Sequence, residues 1–236
     1  MTTTGTKEPS CMSQALDHYT PELHVTAAGR DWILRRASDF DSLWEGMVAD
    51  GRADADEHIP YWTELWPSSL VLSAWLADRA DELRGKTCLD LGCGIGLTAL
   101  VAASFGARVV AVDYETEALH YARINADLNG VESPLWLAMD WRRPALAAGC
   151  ADFVWGGDIM YERRFVAPVL QCMARVLKKG GRVWVAEPGR TVYEAFLSAL
   201  PGFGWQGRRV LVQDVDALYA QATRVTVAIW ELVRTR

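Results

Sequence analysis

The run Thr87-Cys88-Leu89-Asp90-Leu91, followed directly by Gly92-Cys93-Gly94-Ile95-Gly96, limits the fold of this chain more than any other feature. An apolar run of strand length ends in alternating glycines, and Leu97 to Phe105 then reads as a helix. Glycines at this spacing let the backbone turn tightly and approach a ligand that a Cβ would push away. Arg108-Val109-Val110-Ala111-Val112-Asp113 reads as a second strand, so the loop sits inside a βαβ unit whose second strand ends in a carboxylate. The spacing is G-x-G-x-G rather than the G-x-G-x-x-G of a dinucleotide site, with Leu97 where the third glycine would fall. Asp90 ahead of the loop suits a ligand carrying a positive group better than one carrying phosphates. Asp113 can accept both hydroxyls of a ribose, a charged hydrogen bond worth roughly 1.5–3 kcal/mol. The alternative, a strand-glycine turn that binds nothing, does not explain why loop and acid occur together in one frame.

The rest of the chain repeats the alternation. A helix from Glu115 to Leu128 ends at Asn129-Gly130, residues that accept a left-handed cap. Strands are expected at Leu135 to Met139, Asp152 to Trp155 and Arg182 to Ala186, with a helix from about Glu162 to Leu177 between the last two. Such alternation implies a parallel sheet covered on both faces. Arg208 to Val212 and Arg224 to Val233 follow without a crossover helix, so an antiparallel pair closes the sheet. Ahead of the βαβ unit, Pro67 suits the first turn of a helix running to Leu83. Residues 1–58 read as an extension: a polar leader, a hairpin turning at Ala28-Gly29-Arg30, a short helix from Asp39 to Gly51 and an acidic linker to His58. The extension is expected to cover the acceptor side of the pocket, ahead of a domain from 59 to 236.

Composition excludes several classes. The 236 residues are half hydrophobic and 23% charged, which suits one packed domain. Twenty-four basic against 30 acidic side chains lack the basic excess of a nucleic-acid binder, and the basic pairs are scattered. The five cysteines form no C-x-x-C pair and the four histidines show no ligand spacing, so neither a disulfide framework nor a metal site is expected. With no apolar leader and no credible membrane span, the expectation is a soluble, cytoplasmic protein. The chain has no G-x-S-x-G elbow and no H-E-x-x-H, which removes hydrolase and metalloprotease readings.

The segment LDLGCGIG and the acid Asp113 resemble the first motif and the ribose-binding residue of the class I S-adenosylmethionine-dependent methyltransferases, over about residues 60 to 236. That resemblance implies a Rossmann-like, doubly wound α/β fold: a seven-stranded sheet, mostly parallel, with a C-terminal antiparallel hairpin. It implies S-adenosylmethionine as cofactor, S-adenosylhomocysteine as product, and no metal. It carries over Asp90, Gly92 and Gly94 as contacts to the methionine side, Cys93 and Gly96 in the same loop, and Asp113 with Tyr114 at the ribose. Asp140 and Trp141 resemble the adenine-side pair of the seven-strand protein-lysine methyltransferases. Gly157-Asp158-Ile159-Met160-Tyr161 resembles that group's Asp-x-x-Tyr motif, with Gly157 at the cofactor. PYWTELWPSS and Glu187-Pro188-Gly189-Arg190 resemble segments of the lysine methyltransferases acting on the electron-transfer flavoprotein β-subunit and of bacterial relatives described as nicotinamide N-methylases. The chain departs from that subgroup in carrying Glu187 for Asp, and Ser68-Ser69 where two glycines often stand.

Asp158 and Tyr161 are the candidate catalytic residues. Methyl transfer from a sulfonium is an in-line displacement by a neutral amine, and a carboxylate at a strand end can orient that amine. Otherwise Asp158 caps the following helix and Tyr161 packs against it. Trp66, biased away from helical geometry by Pro67, is either a lid on the cofactor or a packing residue. Tyr61, Trp62 and Arg190 are candidate substrate contacts, Arg190 being either a partner for an acidic group or a surface arginine. The acceptor implied is a protein lysine, with a small amine or pyridine nitrogen as the alternative. A non-catalytic nucleoside-binding module and a nicotinamide-dependent oxidoreductase are the readings from other classes.

Overall fold

The computed structural model describes residues 21–37, 40–50, 59–216 and 224–235. The expected leader and most of the acidic linker lie outside the described residues. In chain order the elements are β1 (Glu22–Ala27), β2 (Arg30–Arg35), α1 (Phe40–Ala49), α2 (Pro67–Ala77), α3 (Ala80–Leu83), β3 (Thr87–Leu91), α4 (Leu97–Ser104), β4 (Arg108–Asp113), α5 (Thr116–Leu128) and β5 (Leu135–Ala138). They continue with β6 (Ala151–Gly157), α6 (Val166–Val176), β7 (Leu177–Glu187), α7 (Val192–Ala199), β8 (Trp205–Asp216) and β9 (Arg224–Arg234).

Strands β3 to β9 form a seven-stranded sheet in the order β5-β4-β3-β6-β7-β9-β8. Neighbours from β5 to β7 run parallel, and β9 is antiparallel to both β7 and β8. The expected fold class is therefore the observed one. The chain winds outward from β3 through β4 to β5, then returns to place β6 on the other side of β3. That reversal opens a crevice at the carboxyl ends of β3 and β6, where open α/β sheets bind ligands.

Strand alternation sorts the core onto two faces. Leu89 and Leu91 of β3 pack with Val169, Leu170 and Met173 of α6 and Phe196 of α7. Cys88 faces the opposite way, into a cluster with Leu72 and Leu76 of α2 and Ala99 of α4. Several boundaries differ from the sequence reading, β8 among them, which runs from Trp205 to Asp216 rather than from Arg208 to Val212. The helix expected from Pro67 to Leu83 divides into α2 and α3, β7 begins five residues before Arg182, and α7 fills a stretch to which no element was assigned. Helix α7 holds few turns and draws its place from burying Tyr193 and Phe196, a tertiary gain that local pattern understates.

The β1–β2 hairpin packs into the body of the fold. Leu23, Ala27, Trp32 and Leu34 share one hydrophobic cluster with Ile95 and Leu97 of the glycine loop, Leu100 of α4 and Ala126 of α5. The expectation that residues 1–58 cover the acceptor side is thus corrected for the hairpin, which lies beside the glycine loop because its apolar face finds cover there. Among the described residues, α1 and Arg36 approach the other side, where Phe40 stacks on Tyr61 at 5.4 Å and Arg36 pairs with Glu64.

Candidate functional site

A cleft of about 1130 Å³, the open solvent at its mouth included, lies at the carboxyl ends of β3, β4 and β6. Its floor is the glycine loop. Gly92, Gly94 and Gly96 have φ of +73°, +51° and +95°, a region closed to most side chains. A Cβ on Gly92 would stand 2.8 Å from Ile159 Cγ2, and one on Gly96 2.9 Å from Ala122 Cβ, so close packing demands glycine as strongly as the turn does. The amides of Gly92 and Cys93 both donate to Val112 O at 2.9 Å, which ties the loop to the neighbouring strand.

Asp113 ends β4 at the cleft wall. Its Oδ2 accepts from the Gly94 amide at 2.8 Å and its Oδ1 from the Glu115 amide at 3.1 Å. Each oxygen keeps a further lone pair, so the carboxylate can still accept a pair of hydroxyls. Burial raises its pKa to about 6, against the pull of those amides. Trp141 and Met139 face the same space, and Trp141 meets Phe165 edge to face at 5.2 Å. At the rim, Asp140 Oδ1 accepts from the backbone amide of Arg142 at 2.8 Å and from its Nε at 2.9 Å.

Across the cleft, Asp158 follows the last residue of β6 with φ of +55°, uncommon for a residue with a side chain. Its amide donates to Ala186 O at 2.8 Å, which holds the turn. The carboxylate, with 3% of its side chain exposed, receives Arg190 Nε at 2.6 Å and Nη2 at 2.7 Å. Burial raises the Asp158 pKa while the guanidinium pulls it back, and the bidentate bonds raise that of Arg190. Arg190 reaches this place through the turn after β7. Gly189, at φ +83°, donates its amide to Glu187 Oε2 at 2.6 Å, so Glu187 closes the turn itself.

The Arg190 guanidinium lies 5.4 Å from the Trp66 ring, and Trp66 Nε1 donates to Tyr61 O at 3.0 Å. Tyr61 meets Tyr161 edge to face at 5.1 Å, and Tyr161 meets Phe165 at 5.5 Å. Burial raises the Tyr161 hydroxyl far above neutral pH, so it stays protonated. Trp62 stacks on Tyr121 at 6.1 Å and is mostly buried, with one edge on the cleft.

Of the residues singled out from sequence, Tyr61, Trp62, Trp66, Gly92, Cys93, Gly94, Gly96, Asp113, Tyr114, Asp140, Trp141, Gly157, Asp158, Tyr161 and Arg190 all line this one cleft. Asp90 does not. Alternation along β3 turns its side chain, only 1% exposed, beneath α4, where Oδ2 accepts the Thr98 hydroxyl at 2.6 Å. The Ala99 amide supports it from the helix start, while burial raises its pKa to about 7. Asp90 therefore holds the helix that carries the loop, and the suggestion that it faces a positive ligand group is corrected. The sequence reading passed over Glu64, Ser69, Met139, Ile159 and Phe165, which also line the cleft. Apolar spacing alone did not mark them, although Ile159 lies inside the Asp-x-x-Tyr segment.

Among the described residues, no group of three or more His, Cys, Asp or Glu side chains is placed to hold a metal ion, and no helix is long and apolar enough to cross a membrane.

Comparison with known proteins agrees with this arrangement. Residues 89–185 match a family profile described as a methyltransferase domain. The chain is 31% identical over 172 residues to the ribosomal protein L11 methyltransferase of Methylobacillus flagellatus, covering 67% of this chain and 55% of that protein. It is 33% identical over 150 residues to the human electron transfer flavoprotein beta subunit lysine methyltransferase, covering 59% and 53%. The chain thus spans about half the length of these curated relatives. Among solved structures, a ribosomal protein L11 methylase from Lactobacillus delbrueckii subsp. bulgaricus superposes with a TM-score of 0.52 at 20% identity, over 70% of this chain and 77% of that one. At that identity the likeness is one of fold.

Proposed function

We propose that this chain, which resembles the class I S-adenosylmethionine-dependent methyltransferases in sequence and fold, transfers a methyl group to nitrogen, and that the acceptor is the side-chain amine of a lysine in a protein. The observation that carries the reading is one cleft holding a nucleoside-type loop and acid on one wall and the buried Asp158 carboxylate on the other. The relatives named above are methyltransferases of ribosomal protein L11 and of a flavoprotein subunit lysine, which favours a protein acceptor over a free small amine.

The residues present suit the cofactor. Asp113 retains acceptor capacity for a vicinal diol, and a Cβ on Gly92 or Gly96 would collide with its neighbours. When bound, S-adenosylmethionine supplies an electrophilic methyl group on a sulfonium. Gly92 to Gly96 would bring backbone close to its amino-acid end, Asp113 would hold the ribose, and Met139, Asp140 and Trp141 would bound the base. Asp158 would accept an N–H of the incoming amine and so orient its lone pair. A lone buried carboxylate would stabilise an ammonium and lower its nucleophilicity. Arg190, on both oxygens of Asp158, offsets that effect and favours the neutral amine. Tyr61, Trp66 and Tyr161 exclude water from the same wall.

The test is incubation of the pure protein with radiolabelled S-adenosylmethionine and a cell extract divided into protein and small-molecule fractions. Asp158→Asn is the control, since Asn also tolerates positive φ. Label on a discrete protein band is expected, reduced about 100-fold or more in the variant, with S-adenosylhomocysteine affinity unchanged within about threefold. Label confined to small molecules would shift the acceptor to a small amine. Full turnover by the variant would remove Asp158 from the chemistry.

A further inference from the structure

Asn125 of helix α5 and Asn129, the residue that caps its end, stand one turn apart, and both reach the outer edge of the hairpin. Asn129 Oδ1 accepts from the Ile33 amide at 3.0 Å and its Nδ2 donates to Ile33 O at 2.7 Å. Asn125 Oδ1 accepts from the Arg35 amide at 2.6 Å and its Nδ2 donates to Arg35 O at 3.1 Å. Four residues of helix rise about 6 Å, close to the roughly 6.6 Å between alternate residues of a strand. Each carboxamide therefore stands in for one residue of a missing third strand, and the helix satisfies the free edge of β2.

The two asparagines differ in one respect. The second Nδ2 proton of Asn125 goes to Ile95 O at 2.9 Å, within the glycine loop, whereas that of Asn129 returns to Asn125 O of its own helix at 2.7 Å. Asn125 is fully buried, with its oxygen and both amide protons engaged. Asparagine is a poor residue for a helix interior, and the hydrogen bonds its side chain makes here offset that cost. The loop is thus gripped from two directions: Asp113 takes the Gly94 amide on the cleft side, and Asn125 takes the next carbonyl from behind.

We propose that Asn125 is a positioning residue for the cofactor and that it makes the β1–β2 hairpin part of the cofactor site. The inference rests on the reading that the loop binds S-adenosylmethionine. The grip is shared, so ordering the hairpin and ordering the loop favour one another, and by reciprocity a ligand on the loop must also protect the hairpin.

Asn125→Asp and Asn129→Asp make the comparison. Both variants keep the acceptor for β2 and set a carboxylate against the β2 carbonyl, but only Asn125→Asp also opposes Ile95 O. Calorimetric titration with S-adenosylhomocysteine should show about tenfold or greater weakening for Asn125→Asp and less than about threefold for Asn129→Asp, although both lower the melting temperature. Asn125→Ser, which introduces no charge, serves if Asn125→Asp fails to fold, and should also weaken binding more than Asn129→Ser. In the wild type, saturating S-adenosylhomocysteine should slow amide exchange across residues 30–36. Equal affinities for the two asparagine variants, or no change in hairpin exchange on binding, would overturn the proposal. A wild type that does not bind S-adenosylhomocysteine would instead fail the methyltransferase reading.

Discussion

On one wall of the cleft, the ligand-facing groups from Gly92 to Asp113 are backbone turns and a carboxylate, supplied by a single βαβ unit. On the other, Tyr61, the Asp158–Tyr161 segment and Arg190 come from three separate stretches of chain and are set by one another's side chains. The first wall is built by glycines whose positive φ and crowded surroundings leave no room for substitution. The second is held by an ion pair, an edge-to-face ring contact and an indole hydrogen bond, each of which can be weakened by degrees. A wall made of backbone fails abruptly, and one made of side chains fails gradually.

The largest expected effect is at Gly96. Replacement by Ala forces a side chain into φ +95° and against Ala122 and Trp136. A stability loss of about 2–5 kcal/mol is expected from strain and overpacking together, read from the urea midpoint, with loss of S-adenosylhomocysteine binding. Unchanged stability would break the contrast, since the loop would then tolerate a Cβ.

A second test separates the walls by pH. Binding a diol requires ionised Asp113, whose pKa burial raises to about 6. S-adenosylhomocysteine affinity should therefore fall as pH drops through about 6, approaching tenfold per unit below it. Asp113→Asn should flatten that dependence while weakening binding at neutral pH. The ligand-free fold responds with the opposite sign. A carboxyl raised from about 3.9 in the unfolded chain binds its proton more tightly when folded, so its contribution to stability declines as pH rises from about 4 to about 6. A flat affinity profile across pH 5 to 7 would place the pH-sensitive group elsewhere.

The smallest effect belongs to the side-chain wall. Trp66→Phe removes the hydrogen bond to Tyr61 O and reduces the face under Arg190. Activity in kcat/KM should drop about two- to tenfold, with cofactor affinity unaltered. A larger loss would mean that this wall is as intolerant as the loop.

The difference between the walls also explains how much could be read in advance. The loop and Asp113 were legible because a βαβ unit places its ligand groups at fixed chain positions. Asp158 and Arg190 were marked by their places at strand ends and, with Tyr161, by resemblance, but no local pattern showed that they meet across the chain. Asp90 was misassigned for the converse reason. It sits inside the motif, yet the pleat of β3 turns it away from the cleft and under α4. Asn129 and Gly130 were read as a helix end, and Gly130 does take a positive φ of +59° there. That Asn129 also completes the edge of β2 depends on a strand nearly a hundred residues earlier in the chain.

The sequence by itself determined the alternation of strands and helices, the left-handed glycine turns and the acid at the end of the second strand. These follow from periodicity, from the steric freedom of glycine and from chain neighbours that stay neighbours in space. Tertiary structure alone decided the bidentate seat of Arg190 on Asp158, the ring contacts of Tyr61 and the packing of the hairpin against α5 and the glycine loop. Those depend on which buried groups find partners once distant segments meet, and hydrogen-bond satisfaction in a closed core has no signature along the chain.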